Sequence, residues 1–194
     1  MYKRQPQEAV PVLEQGGTWF PMDWSPDDSK LLVGRYVSAN ESYGYILDLA
    51  TGELEQMNPS SKKIAYGGSI WSADGKGVFF SSDEDTEFQH LRYYDLGNKK
   101  QKILTEKIKW DVAGMSISHD RGTLAFTTNE DGITKLYLMD TAKMTYRPVE
   151  GFPVGSISGL AFSPDDSDLA LTIATPSSTG DVYVLDLADM SISL

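Results

Sequence analysis

Apolar and polar residues alternate along this chain with a period of two rather than 3.6, in short runs such as LLVG at Leu31, VFFSS at Val78, LAFTT at Leu124 and LALTI at Leu169. Each run is followed by a second one, YGYILD, LRYYD, LYLMD or VYVLD, that ends on an aspartate. Side chains of a strand point alternately to its two faces, so the pattern predicts strands throughout. A turn of the form Ser-Pro-Asp-Asp precedes each first run. Pro26 and Pro164 preset φ there, and Asp27, Asp74, Asp120 and Asp165 are placed to accept bonds from backbone N–H groups.

The pattern repeats four times. Ser25, Ser72, Ser118 and Ser163 are spaced by 47, 46 and 45 residues, and Asp48, Asp95, Asp140 and Asp186 independently by 47, 45 and 46. Each copy reads as strand a ending at Trp24, Trp71, Ile117 or Phe162, strand b, a loop of variable length, strand c ending at the aspartate, a short turn such as LATG, and strand d. Four antiparallel strands in each such repeat define one propeller blade. The fold expected is all-β: a β-propeller of four four-stranded antiparallel blades, spanning about 18–57, 65–104, 111–149 and 156–194 of a single partial propeller domain. Residues 8–13, EAVPVL, are expected to form the outer strand of a preceding blade.

Four blades of this kind predict an open arc. Two apolar blade faces would then be exposed, an association hazard in repeat proteins. A fragment of a longer propeller is one expectation; a homodimer of two arcs joined through these faces is the competing one. Pro21, Gly68, Gly114 and Gly159 share a place in strand a, where blades converge on the axis and space is short; the alternative is that these glycines only punctuate loops. Trp24, Trp71, Ile117 and Phe162 are expected to pack between blades, with ligand stacking by the tryptophans as the alternative.

Charge and composition narrow the function. The chain carries 17 basic and 28 acidic residues, a net charge of -11, which repels nucleic acid and anionic membranes. It has no cysteine, so thiolate metal sites and cysteine nucleophiles are excluded. No cofactor and no metal are expected. No run of 18 apolar residues predicts a membrane span, and without a visible signal peptide a cytoplasmic location is favoured over a periplasmic one.

The signature W-S-P-D-x-x-x-L, followed by an apolar strand, a loop, Y-x-x-D and a turn such as DLATGEL, resembles the TolB-like propeller repeats. These occur in the periplasmic protein of the Tol system and in the N-terminal propellers of prolyl oligopeptidase-family serine peptidases. The stretches from Gly16 to Leu54 and from Thr127 to Leu171 are more similar to the peptidase group. That resemblance implies a non-catalytic portion that gates or positions peptides for a hydrolase domain missing from this chain. The alternative it implies is a stand-alone scaffold that binds a protein partner.

No catalytic residues are expected in the chain itself. The family's nucleophile motif is G-x-S-x-G, and the nearest string, GSISG at Gly155–Gly159, puts its serines in the second and fourth places. His90 and His119 have no nucleophile near them in the pattern. The segments SANES, SSDEDTEF, TNEDGI and ATPSSTGD are expected to emerge on one face of the disc and make it acidic. Glu41, Asp85, Glu87 and Asp131 are the candidate ligand or partner residues there, alongside Asp83, Glu84, Glu130 and Asp181. A basic peptide, an amino terminus or a divalent cation held through oxygen ligands would suit such a face; a solvated, solubilising surface is the alternative.

Overall fold

The computed structural model describes residues 10–194. Among them there is no helix, and sixteen strands form four separate sheets. The first contains β1 (Thr18–Trp24), β2 (Lys30–Ser38), β3 (Glu41–Asp48) and β4 (Leu54–Gln56). The second contains β5 (Tyr66–Trp71), β6 (Gly77–Ser82), β7 (His90–Asp95) and β8 (Lys100–Ile103). The third contains β9 (Val112–Ile117), β10 (Thr123–Glu130), β11 (Ile133–Asp140) and β12 (Thr145–Pro148). The fourth contains β13 (Ser156–Phe162), β14 (Asp168–Thr175), β15 (Ser178–Asp186) and β16 (Ile192–Ser193). Strand order within each sheet follows the chain, and every pairing is antiparallel. This is the all-β, four-bladed partial propeller that the repeat predicts.

The two repeating columns are explained by local hydrogen bonds. The Ser25 hydroxyl donates to Asp27 at 2.7 Å and accepts the Lys30 N–H at 2.9 Å, which locks the turn between β1 and β2. The same pair of bonds recurs at Ser72, Ser118 and Ser163. The second column works at the other hairpin: Asp48, Asp95, Asp140 and Asp186 each accept backbone N–H groups two or three residues ahead. A short side chain that mimics a backbone acceptor is what such a turn needs.

Packing follows from the alternation. Leu32 and Ile46 of the first sheet meet Trp71, Val78, Phe80 and Tyr94 of the second. Ile70, Phe79 and Leu91 leave the opposite face of that second sheet for Leu124, Phe126, Tyr137 and Met139 of the third. Ala125, Leu136 and Leu138 then meet Leu169, Leu171, Ile173 and Leu185 of the fourth. Each boundary thus packs one face of a blade's alternating strands against the opposite face of the next blade. Full burial of a side chain such as Phe79, Phe80 or Phe126 contributes about 2–3 kcal/mol.

Four details depart from the sequence expectations. Trp24 does not pack between blades: it pairs with Leu31 on the outward face of the first sheet and is 51% exposed, whereas Trp71 at the same position is 1% exposed. Of residues 8–13, Glu8 and Ala9 lie outside the described residues and Val10–Leu13 form no strand; an outer strand needs an inner neighbour of its own blade to pair with. Three of the four b–c segments are tight hairpins with only two residues between strands, and Asp83–Gln89 alone is a true loop. The Pro21, Gly68, Gly114 and Gly159 column coincides with an irregularity in strand pairing in every inner strand, and Gly159 adopts φ +66° there.

Candidate functional site

The inner strands β1, β5 and β9 line a hub cavity of about 490 Å³, walled by Phe20, Pro21, Met22, Tyr66, Gly68 and Met115. A neighbouring cavity of about 390 Å³ runs between β9 and β13 and includes Gly114 and Gly159. The small-residue column therefore lines the hub. At Gly68 an added Cβ would come to 3.0 Å from the Met115 methyl, and at Gly114 to 3.0 Å from the Thr127 hydroxyl.

One end of the hub is tied across three blades. Arg121, in the a–b turn of the third blade, donates both terminal nitrogens to Asp23, at 2.7 and 3.1 Å, and also reaches the carbonyls of Trp71 and Trp24. Asp23 in turn accepts the Trp71 N–H at 2.8 Å. A forked guanidinium suits this task because it satisfies a carboxylate and two carbonyls from one fixed plane. Arg121 stands in the left-handed region at φ +58°, as do Asp28 and Asp166 at the same place in their turns.

The opposite face carries the acidic candidates, two of which pair with the adjacent lysines Lys62 and Lys63 of one linker. Glu41 accepts from the Tyr43 hydroxyl and pairs with Lys63, and these hold its carboxyl below the usual range. Asp85 is paired with Lys62, which lowers it in the same way. Glu87 is exposed two residues from Asp85 in the same loop, and Asp131 is exposed in the turn between β10 and β11. Glu130 pairs with Lys135 and accepts from the Tyr137 hydroxyl, while burial and that carboxylate push Tyr137 up to about 12. Much of the expected negative field is therefore offset by lysines that the loop strings do not contain. Among the described residues, no group of three acidic or histidine side chains is placed to hold a metal ion.

The Asp83–Gln89 loop has its own internal anchor, which sequence reasoning missed. Buried Arg92 donates to the carbonyls of Ser82 and Glu84 and to the Thr86 hydroxyl. The Glu84 carboxylate folds back to Asn58 and Gln101, so the loop is fastened to the boundary between the first two blades. An arginine at an inward position of an alternating strand was the available signal.

The histidines are accounted for structurally. His119 lies on the surface, its Nδ1 2.9 Å from Asp166. His90 is 3% exposed, and burial pushes it below its ordinary value. Among the described residues no serine hydroxyl hydrogen-bonds to either ring, and the GSISG string runs into the inner strand β13.

The architecture is thus that of a β-propeller arc with an open hub. No protein-family model matches the chain, and no curated protein sequence does. Among solved structures it is similar to a prolyl endopeptidase, with a TM-score of 0.79 and 18% identity over 98% of this chain and 28% of that one. It is also similar to TolB from Acinetobacter baumannii, with a TM-score of 0.72 and 22% identity over 94% of this chain and 44% of that one. The TolB of Agrobacterium tumefaciens, itself described as a probable assignment, gives a TM-score of 0.71 and 17% identity over 94% and 63%. The chain spans less than two thirds of the length of each, and the likeness defines its fold as a TolB-like propeller.

Proposed function

We propose that this chain is the non-catalytic propeller portion of a prolyl oligopeptidase-like serine peptidase, admitting or positioning peptides for a hydrolase domain. The observation that carries this reading is the open hub: the inner strands of three blades line a cavity of about 490 Å³, with the Arg121–Asp23 tie at one end. The high structural overlap with a prolyl endopeptidase over nearly the whole chain supports it. The second reading, a TolB-like scaffold that binds a protein partner, is favoured by the two TolB structures.

A fluorophosphonate probe applied to the product of the complete reading frame separates the two. The peptidase reading expects labelling of a serine outside residues 1–194, abolished when the labelled serine is replaced by alanine. A complete product that takes up no probe overturns it and leaves the scaffold reading, whose partner would then be sought by co-purification.

A further inference from the structure

We propose that a cavity between the third and fourth blades binds small carboxylates bearing a short apolar group, with Arg147 as the residue that grips them. The inference is independent of the peptidase reading. The cavity, of about 340 Å³, opens beside the turn between β11 and β12. Its walls include Thr123, Leu138, Asp140, Thr145 and Arg147 of the third blade and Leu187 of the fourth. It shares no residue with the hub cavity and lies at a boundary that the chain itself closes.

The repeat explains why there is room. Leu138 stands two residues ahead of its strand-end aspartate, the place that Tyr93 takes in the second blade. There Tyr93 lies across Gly77, in space that a Cβ on that glycine would need, and packs at 5.1 Å on Phe79. In the third blade Thr123 replaces Gly77 and Ala125 replaces Phe79, so the ring and its bed are both gone. The matching cavity at the second boundary, beside Tyr93 and Met144, is accordingly smaller, about 270 Å³.

Charge sets the ligand. Among the described residues the Arg147 guanidinium reaches only the Met190 sulfur, at 3.1 Å. A thioether is a weak acceptor, so a forked donor is left at the cavity wall without an oxygen to receive it. Arg92 and Arg121, by contrast, hold carbonyl and carboxylate oxygens. Asp140 is already engaged by the Lys143 ammonium, at 2.6 Å, and by the Lys143 N–H, at 2.9 Å. The guanidinium is therefore the uncompensated charge of this wall, in a chain whose net charge is -11. A carboxylate matches its fork. Leu138 and Leu187 supply an apolar surface for the rest of the ligand. Asp140 stands close enough to disfavour a second negative charge, which selects a monocarboxylate over phosphate.

Proton–nitrogen correlation NMR on the whole chain tests this, with N-acetyl-leucine titrated to about 20 mM, well above a millimolar dissociation constant. The Arg147 Nε–H and the amides of Leu138 and Leu187 should shift and saturate. A short peptide ending in leucine distinguishes a chain end from a free acid as the source of the carboxylate: equal binding assigns the site to peptide termini, and weaker binding to free acids. The same peptide with an amidated end should not bind. Arg147→Gln, at an exposed position, should weaken N-acetyl-leucine about tenfold or more. Thr145→Tyr, also exposed, should obstruct the cavity and weaken binding while the guanidinium stays. Lys102→Gln removes the cation at the same place in the second blade and should change nothing. The proposal is overturned by the absence of saturable shifts, by equal binding of the amidated peptide, by full binding in Arg147→Gln, or by tighter binding of inorganic phosphate than of N-acetyl-leucine.

Discussion

Trp71 and Trp24 stand at the same place in their repeats, yet one is 1% exposed and the other 51%. Leu91 and Val182 make the same comparison on the opposite face, 0% against 60%. The sequence column sets which face of the sheet a side chain takes; the neighbouring blade decides whether that face is core. Middle blades are covered on both sides, and end blades on one. Stability should therefore be unevenly spread along the arc, although the repeats are nearly equivalent in sequence.

The sharpest way to break this comparison is a matched pair of truncations. Trp71→Ala should cost about 3–5 kcal/mol in urea unfolding, since it opens a cavity between the first two blades. Trp24→Ala at low protein concentration should cost about 1 kcal/mol or less, as expected for a half-exposed side chain. Equal costs would mean that the first blade does not depend on neighbours as the structure implies. The indole N–H of Trp71 finds no hydrogen-bond partner among the described residues. Trp71→Phe should then cost much less than Trp71→Ala.

An intermediate effect is expected at the hub tie. Arg121→Gln removes the forked bond to Asp23 and the two carbonyl contacts, and should cost about 2–3 kcal/mol. Hydrogen exchange should then quicken at the Trp71 amide, whose acceptor is Asp23. A uniform loss of protection in all four blades would argue that the tie is not specific to the first three.

The smallest effect per site is expected from acid, and it should be shared by ends and middle alike. Hydrogen bonds from Ser25 and Ser29 hold Asp27 down at about 2, and Asp74 and Asp165 are lowered by equivalent bonds. A carboxyl with a depressed folded value stabilises the fold above its ordinary range near 4 and loses that contribution as pH falls towards the folded value. Thermal midpoints should accordingly hold steady above about pH 5 and decline between about pH 4 and pH 2. Ser72→Ala, which removes one of those bonds to Asp74, should bring its folded value back towards the ordinary one and so lessen the loss of midpoint between about pH 4 and pH 2.

Much of the fold was legible because its recurring signals are local. Ser25 and Asp27, or Asp48 and Thr51, bond within three residues, so the turn chemistry is written in adjacent letters. The strand ends at Trp24, Trp71, Ile117 and Phe162 followed directly. The tie between Arg121 and Asp23 was not legible, because 98 residues separate its partners and no periodic column marks either. The acidic face is legible only in part, for a related reason. Its loop strings carry the carboxylates, whereas Lys62 and Lys63 arrive from the linker ahead of β5 and offset the charge of Asp85 and Glu41. The pairing irregularities of the inner strands leave a glycine or proline in each copy, but those residues have several uses and do not reveal register by themselves.

The link from the third blade's turn back to the first blade has a mechanical meaning. Boundaries elsewhere join only successive blades, so a chain stretched from its two ends should come apart like a row of pages, one sheet per step. The fourth sheet has no such strap and should peel first, whereas loss of the first must also rip Arg121 away from Asp23. Force applied to this protein would thus be felt asymmetrically, with the amino-terminal page bound to the spine and the carboxy-terminal one loose.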